Sequence, residues 1–216
     1  MSIGREDSVS GASGAGIAGL LLAAGASSRM GPETNKLLQT VQGRPLVMAP
    51  VEAMRRVLGT SLLVVLGHES ERIREALDGN VATTLHSAWA EGMGASIAHG
   101  VRILLDTRSK EIPRGILICV GDLPGLESSV VEAVVAAFQK DADANRICVP
   151  THTSGRDGHP VLFGAGYFEA LSVLEGDRGA RAIVDRAGDA VVRVPIDSDG
   201  ILRDVDTPED LADWQS

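Results

Sequence analysis

Residues 21–38 read LLAAGASSRMGPETNKLL, and the residue types in this segment suit the binding of a polyphosphate. A loop of small residues lets backbone N–H groups converge on an anion, because no bulky side chain stands in the way. Arg29 adds a planar, permanently charged fork matched to phosphate oxygens. Lys36, one of three lysines with Lys110 and Lys140, adds a mobile point charge. A solvated surface loop would use the same residues. Two cations at the carboxyl end of a strand in an acidic chain favour the phosphate reading. The segment has no G-x-x-x-x-G-K-[ST] pattern, so it is not a P-loop.

A triphosphate also wants a hard divalent cation, and such cations want carboxylates. Asp122 follows the apolar run ILICV and Gly121, and a Pro124-Gly125 turn comes directly after it. A carboxylate there points into the crevice at the strand end, for metal or substrate contact; it lies too far from Glu127 to cap the helix expected to begin there. In DVDTPED over residues 204–210, Thr207 as N-cap, Pro208 at the first helical position and acids in the first turn explain themselves as a helix start. Asp206 stands just outside that cap and is free to join Asp122. Among the weaker signals, His68 follows LLVVL and Gly67 and could approach a nucleotide base. His159 in RDGHP is either a site residue or a turn residue. No histidine pair has metal-ligand spacing, and no G-x-S-x-G elbow supports a hydrolase.

These residues need a scaffold, and the patterning supplies one. Strands are expected over residues 17–23, 62–66, 81–85, 116–120, 146–150, 161–163 and 191–195. Helices are expected over 45–58, 70–77, 94–105, 128–138, 167–174, 178–187 and 207–214. Fully apolar strands alternating with amphipathic helices predict a mainly parallel sheet buried on both faces: an α/β, Rossmann-like, doubly wound domain over residues 16–216. Shorter elements after Pro150 predict an antiparallel or mixed edge. Ligands of such sheets bind outside the carboxyl ends of the strands, where the residues above stand. The segment GAGIAG over residues 14–19 matches a dinucleotide fingerprint to the letter. It lacks the preceding strand and the following helix that the motif requires, so it reads as the approach to the first strand.

Composition sets the outer limits. The chain has 216 residues, 44% of them hydrophobic and 23% charged, which fits one ordinary α/β domain. Twenty-nine acids against twenty bases leave a net charge of −9, which argues against nucleic-acid and anionic-membrane partners. Cys119 and Cys148 lie in apolar runs and read as buried thiols of a reduced compartment. Residues 1–15 read as a flexible tail. No apolar stretch follows Arg5, Glu6 and Asp7, so no signal peptide is expected and a cytoplasmic location is the default.

Taken in order, LLAAGASSRMG with NKLL, Trp89 with GMGAS (92–96), GDLP (121–124), GHPVLF (158–163), GDRGAR (176–181) and DVDTPEDL (204–211) resemble the MobA-like nucleotidyltransferases. Within that superfamily the resemblance is nearest to the molybdenum cofactor cytidylyltransferases, and it runs from about residue 16 to residue 214. It implies a Rossmann-like domain of the nucleotide-diphospho-sugar transferase type. It further implies that Leu22, Ala23, Ala24, Gly25, Arg29 and Lys36 hold the nucleotide, with Arg29, Lys36 and Asp122 catalytic. Asp122 and Asp206 would hold Mg²⁺, while Gly67, His68, Gly92, Met93 and Ser96 would lie near base and ribose. Cytidylyl enzymes of the superfamily look like L-A-A-G and guanylyl enzymes like L-A-G-G; this chain has Leu22-Ala23-Ala24-Gly25. Where the family often shows Asn-Pro before the tryptophan, this chain has His86-Ser87, and the 32–34 insertion is unusual; both bear on acceptor and nucleotide preference.

The implied reaction joins CMP from CTP to the terminal phosphate of a pterin cofactor and releases pyrophosphate. A phosphate monoester is already anionic at neutral pH, so the attack needs no strong general base. The acceptor would occupy a second region near residues 151–159 and 177–181. There Arg156, His159, Arg178 and Arg181 are candidate contacts, each arginine being equally well explained as a surface residue. The expected partners are CTP, a phosphorylated pterin and a molybdoenzyme recipient. The rival readings are a guanylyl- or sugar/polyol-phosphate nucleotidyltransferase, a non-catalytic cofactor-delivery protein, and a nicotinamide or flavin enzyme favoured only by the glycines of 14–19.

Overall fold

The computed structural model describes residues 14, 16–30, 34–77, 79, 81–107, 112–141 and 143–215. Apart from Gly14, the expected tail lies outside the described residues, as do Lys110 and residues 32 and 33. The chain runs β1 (Ile17–Ala23), a hairpin of β2 (Thr40–Val41) and β3 (Arg44–Pro45), α1 (Met48–Leu58), β4 (Leu62–Leu66), α2 (Ser70–Ala76), β5 (Ala82–Leu85) and α3 (Met93–Thr107). It continues through β6 (Gly115–Val120), α4 (Ser128–Gln139), β7 (Ile147–His152), β8 (Val161–Gly164), α5 (Phe168–Ser172), α6 (Arg181–Arg186), β9 (Val191–Ile196) and α7 (Pro208–Gln215).

Seven strands form one sheet in the order β5-β4-β1-β6-β8-β7-β9. The pairs β4–β5, β1–β4, β1–β6 and β7–β9 are parallel, and β8 is antiparallel to both neighbours. The antiparallel or mixed edge expected after Pro150 is met in that this end of the sheet mixes directions, but its placement is corrected. The antiparallel strand sits inside the sheet, and the edge strand β9 is parallel to β7. The reason lies in β8 itself, whose four residues are all buried and need cover on both sides.

Strand β1 shows why the sheet needs two helical layers. Ile17, Leu21 and Ala23 enter one buried cluster with α1 and α4, while Ala18, Leu20 and Ala24 enter a second with α3 and α5. This is the period-two alternation of a strand covered on both faces. The first helix begins later than its periodicity predicts. Pro45 belongs to the short hairpin, and Pro50 takes the first-turn position where a missing N–H is tolerated. The helices expected at 167–174 and 178–187 shrink to five and six residues, because Gly176 and Gly179 adopt positive φ between them. The decoy glycines also resolve: Gly19 lies within β1, and no helix opens after it. Both cysteines are buried and unbridged. Among the described residues no helix is long and apolar enough to cross a membrane.

The chain leaves β1 toward β4 and β5 on one side, then returns to place β6 on the other. Leu22 therefore pairs with Val120, and the segments that follow β1 and β6 emerge side by side at this switch point. Open α/β sheets bind ligands at such a place.

Candidate active site

The loop after β1 is shaped by its own backbone. Ser27 adopts φ 53°, a left-handed conformation uncommon for a residue with a side chain. Its carbonyl accepts from the Met30 N–H at 2.9 Å, and its Oγ accepts from the Lys36 N–H at 3.1 Å. Asn35, 2% exposed, caps the short turn Lys36–Leu38 by accepting from the Leu37 N–H. The Lys36 backbone is thus anchored from both sides.

Asp122 and Asp206 meet that lysine. Lys36 Nζ lies 2.6 Å from Asp122 Oδ2 and 2.7 Å from Asp206 Oδ1, and Arg29 forms a second ion pair with Asp206. The Lys36 and Asp122 side chains are only 14% and 15% exposed, whereas that of Arg29 is 71% exposed. The outer pair therefore contributes little to stability. Burial opposes the charge on Lys36, but Asp122 and Asp206 outweigh it and hold the ammonium above its ordinary value.

The sequence reading missed a third carboxylate. Asp204, Asp122 and Asp206 each offer an oxygen, all within 4.8 Å of one another. The signal was present in the spacing. Val205 is fully buried and its N–H donates to the Asp122 carbonyl at 3.0 Å, so the residues on either side of it turn the other way. The helix start explains why Asp206 stands where it does. Asp210 accepts from the N–H groups of Asp206 and Thr207, and Thr207 Oγ1 accepts in return from the Asp210 N–H. This reciprocal box uses the backbone of Asp206 and leaves its carboxylate to the cleft.

Partial desolvation beside the acidic cluster raises the pKa of the otherwise exposed Asp204 above its ordinary value, and the neighbouring Asp122 and Asp206 add to the shift. An unfolded chain loses this proton first, so the folded state forfeits stability as pH rises past 3.8. Asp204→Asn is accordingly expected to melt higher than wild type at neutral pH without divalent cations, the gap closing in acid below 3.8. Thermal melts across that range check it; a gap that persists in acid would contradict the electrostatic cause.

The donor set fits a hard divalent cation. Three carboxylates converge, and Asp122 Oδ1 is buried without a hydrogen-bond partner. With all groups ionised, three carboxylates against Lys36 and Arg29 leave one net negative charge. A divalent ion would reverse that sign before a polyanion arrives.

The carboxylates open onto a cleft of about 640 Å³, the size of an ordinary small-molecule site. Of the expected site residues, Leu22, Ala24, Gly25, Arg29, Lys36, Gly92, Met93, Ser96, Asp122, Arg156, His159 and Asp206 line it. Ala23 does not; it lies on the opposite face of β1, packed with the first core cluster. Gly67 and His68 stand behind the wall. A Cβ on Gly67 would fall 2.6 Å from the Ala24 oxygen, and the His68 N–H donates to that oxygen at 3.1 Å. Arg178 and Arg181 also lie off the lining, and Arg181 pairs with Asp185 within α6. His159 is fixed by its N–H donating to the Ile201 carbonyl. Burial lowers its pKa despite Asp122 and Asp204 nearby, so the ring favours its neutral form.

One backbone contact ties the acidic loops together: a Cβ on Gly200 would sit 1.9 Å from the Gly125 oxygen. Gly200→Ala must push the Asp122 loop away from the segment leading to Asp204. It is expected to cost about 1–3 kcal/mol, as overpacking does. Denaturant titration checks this, and an unchanged midpoint would mean that the two loops separate freely.

This sheet order, with its cleft at the switch point, defines an α/β fold of the nucleotidyltransferase type. Residues 19–191 match the MobA-like NTP transferase domain, and the chain belongs to that family. The bifunctional protein GlmU of Kineococcus radiotolerans is 32% identical over 125 residues, covering 58% of this chain and 25% of that protein. The match thus spans about a quarter of the length of that curated relative. The crystal structure of Rv0371c from Mycobacterium tuberculosis H37Rv has a TM-score of 0.73 at 28% identity, covering 91% of this chain and 96% of that one. Another structure of Rv0371c is a complex with manganese, with a TM-score of 0.69 and 24% identity, covering 92% and 97% of the two chains. The structure of CMP:2-keto-3-deoxy-manno-octonic acid synthetase with CTP has a TM-score of 0.66 and 14% identity, covering 92% and 96%, a likeness of fold alone.

Proposed function

We propose that the protein transfers CMP from CTP to the terminal phosphate of a molybdenum cofactor pterin, releasing pyrophosphate, in the cytoplasm. The observation that carries the nucleotidyl-transfer part is the Lys36 ammonium held between Asp122 and Asp206 at the mouth of a glycine-containing loop. The cytidylyl and pterin parts rest on the sequence resemblance, Ala24 included.

In this reading Asp122, Asp204 and Asp206 hold Mg²⁺. The bound cation supplies positive charge against the triphosphate oxygens. Arg29 exchanges Asp206 for phosphate oxygens, an exchange made easy by the exposure of its present pair. Lys36 neutralises charge on the departing pyrophosphate. The acceptor phosphate oxygen bonds to the α-phosphorus as the bond from that phosphorus to the pyrophosphate oxygen breaks. No proton needs to be removed from the acceptor, which agrees with a neutral His159 at the cleft. The chain's residues therefore act by positioning and charge neutralisation. Arg156 and His159, on the β7–β8 side of the cleft, face the acceptor.

Pyrophosphate release measured with CTP and GTP against a molybdopterin-type acceptor and a panel of sugar and polyol phosphates tests the reading. Turnover only with a sugar phosphate would move the acceptor assignment and leave the transfer chemistry in place. Tight binding without turnover would indicate a delivery protein.

Ala24 borders the cleft at 5% exposure, and in this reading its methyl, packed toward Gly67, sets how closely a base can approach the wall. Ala24→Gly is expected to lower the CTP-to-GTP ratio of kcat/KM about tenfold, the scale of one methyl in a tight site. An unchanged ratio would remove position 24 as a determinant.

A further inference from the structure

The chain has three Phe, two Trp and one Tyr, and among the described residues Trp89 is the one of these that borders the cleft. The others are occupied elsewhere. Phe138, Phe163 and Phe168 are buried in the core, and Tyr167 donates its hydroxyl to the Asn145 carbonyl. Trp214 lies beneath the Arg203 guanidinium at 5.0 Å. Trp89 follows β5 and is held firmly for a half-buried residue. A Cβ on Gly67 would fall 2.6 Å from the Trp89 Cβ, so only a glycine at the end of β4 admits the tryptophan. The His68 ring meets the indole edge-on, with centroids 5.2 Å apart and an interplanar angle of 70°. His68 is in turn tied by its N–H to the Ala24 oxygen. A large flat side chain is thereby fixed beside Ala24, on the β4–β5 side of the cleft, while the cations and carboxylates that suit a triphosphate gather at β1 and β6.

We propose that Trp89 is the stacking platform for the base of the nucleoside triphosphate, an inference that rests on the nucleotidyl-transfer reading above. Stacking uses the π-face that every base has, so it supplies affinity without choosing the base. The choice stays with Ala24. The indole is rigid before the ligand arrives, and little ordering is needed on binding.

Calorimetric titration of CTP, GTP and base-free inorganic tripolyphosphate, each with Mg²⁺, into full-length wild type, Trp89→Ala and Trp89→Phe tests this. Trp89→Ala is expected to weaken CTP and GTP in similar proportion, by about 10- to 100-fold, and Trp89→Phe to recover most of the loss. Tripolyphosphate affinity is expected to stay the same, since it has no base to stack. Should tripolyphosphate weaken as much as CTP, Trp89 is only a structural wall; should CTP be indifferent to the change, there is no stacking. Either outcome with a nucleotide-binding wild type removes the inference alone. A wild type that binds none of the three ligands removes the nucleotidyl-transfer reading as well. Trp214→Phe leaves Trp89 as the sole tryptophan, excited selectively over Tyr167, and guards against a misfolded alanine variant. Its emission should be quenched by CTP and not by tripolyphosphate; unchanged emission at saturating CTP overturns the proposal.

Discussion

Asp122→Asn is expected to slow pyrophosphate release about 10²- to 10³-fold, the scale of losing one preorganised charge contact, while the protein still folds. Asp122 stands at the centre of the acidic cluster, touches Lys36 through Oδ2, and keeps Oδ1 buried without a donor. The amide retains the shape and removes the charge. Two measurements separate a site effect from a folding effect. Thermal melts in Mg²⁺ should show that wild type gains stability and the variant gains little, because a ligand that binds only the native state raises its melting temperature. Single-turnover release should be slow even at saturating CTP. Near-wild-type turnover in Asp122→Asn would remove this carboxylate from the chemistry.

Lys36→Met has the second large effect, and its signature differs. Activity should again fall about 10²- to 10³-fold. Stability should also fall without divalent cations, by about 1–3 kcal/mol, because charge-assisted bonds to two partly buried carboxylates are lost. The pH dependence has a definite sign. The folded-state pKa of Lys36 lies above its ordinary 10.5, so its contribution is complete below that value and disappears as pH rises through the higher folded one. The gap between wild type and variant should therefore persist from neutrality to 10.5 and close in stronger alkali. Mg²⁺ should restore the melting temperature of Lys36→Met without restoring its rate, since the cation replaces charge among the carboxylates and not at the leaving group. If Mg²⁺ restored both, Lys36 would be a structural counter-ion only.

Local pattern was enough to read much of this scaffold. Strands β1, β4 and β6 are continuous apolar runs, and α4 carries Val130, Val131, Val134, Val135 and Phe138 on one buried side, so both periods are written in the residues themselves. The hairpin Thr40–Val41 with Arg44–Pro45 was not legible. Two-residue strands carry no period, and Pro45 reads equally well as a helix start. The place of β8 was hidden for another reason. Its residues announce burial but not direction, and direction is set by which neighbours remain free when the chain returns.

The candidate site divides along the same line. Arg29, Lys36, Asp122 and Asp206 were identifiable because each follows a strand or precedes a cap, positions where a charge has no obvious structural use. Asp204 was passed over although it sits two residues from Asp206. The two-residue spacing held the hint, and the burial of Val205 against the Asp122 loop shows that both acids turn the same way. Gly67 and His68 have the right position in the chain but stand behind Ala24 and Trp89, a matter of ångström-scale neighbours that no spacing records: a Cβ on Gly67 would fall 2.6 Å from that of Trp89.

By itself the sequence determined the main strands and helices, though not the short hairpin, that both sheet faces are covered, and which short loops carry charge. Those properties depend on residues near one another in the chain. Tertiary structure alone decided that Lys36, Asp122 and Asp206, far apart in the chain, share one set of ion pairs, and that Arg178 and Arg181 lie off the lining. Such meetings follow from strand order, because only the placing of β6 beside β1 sets their loops at a common rim.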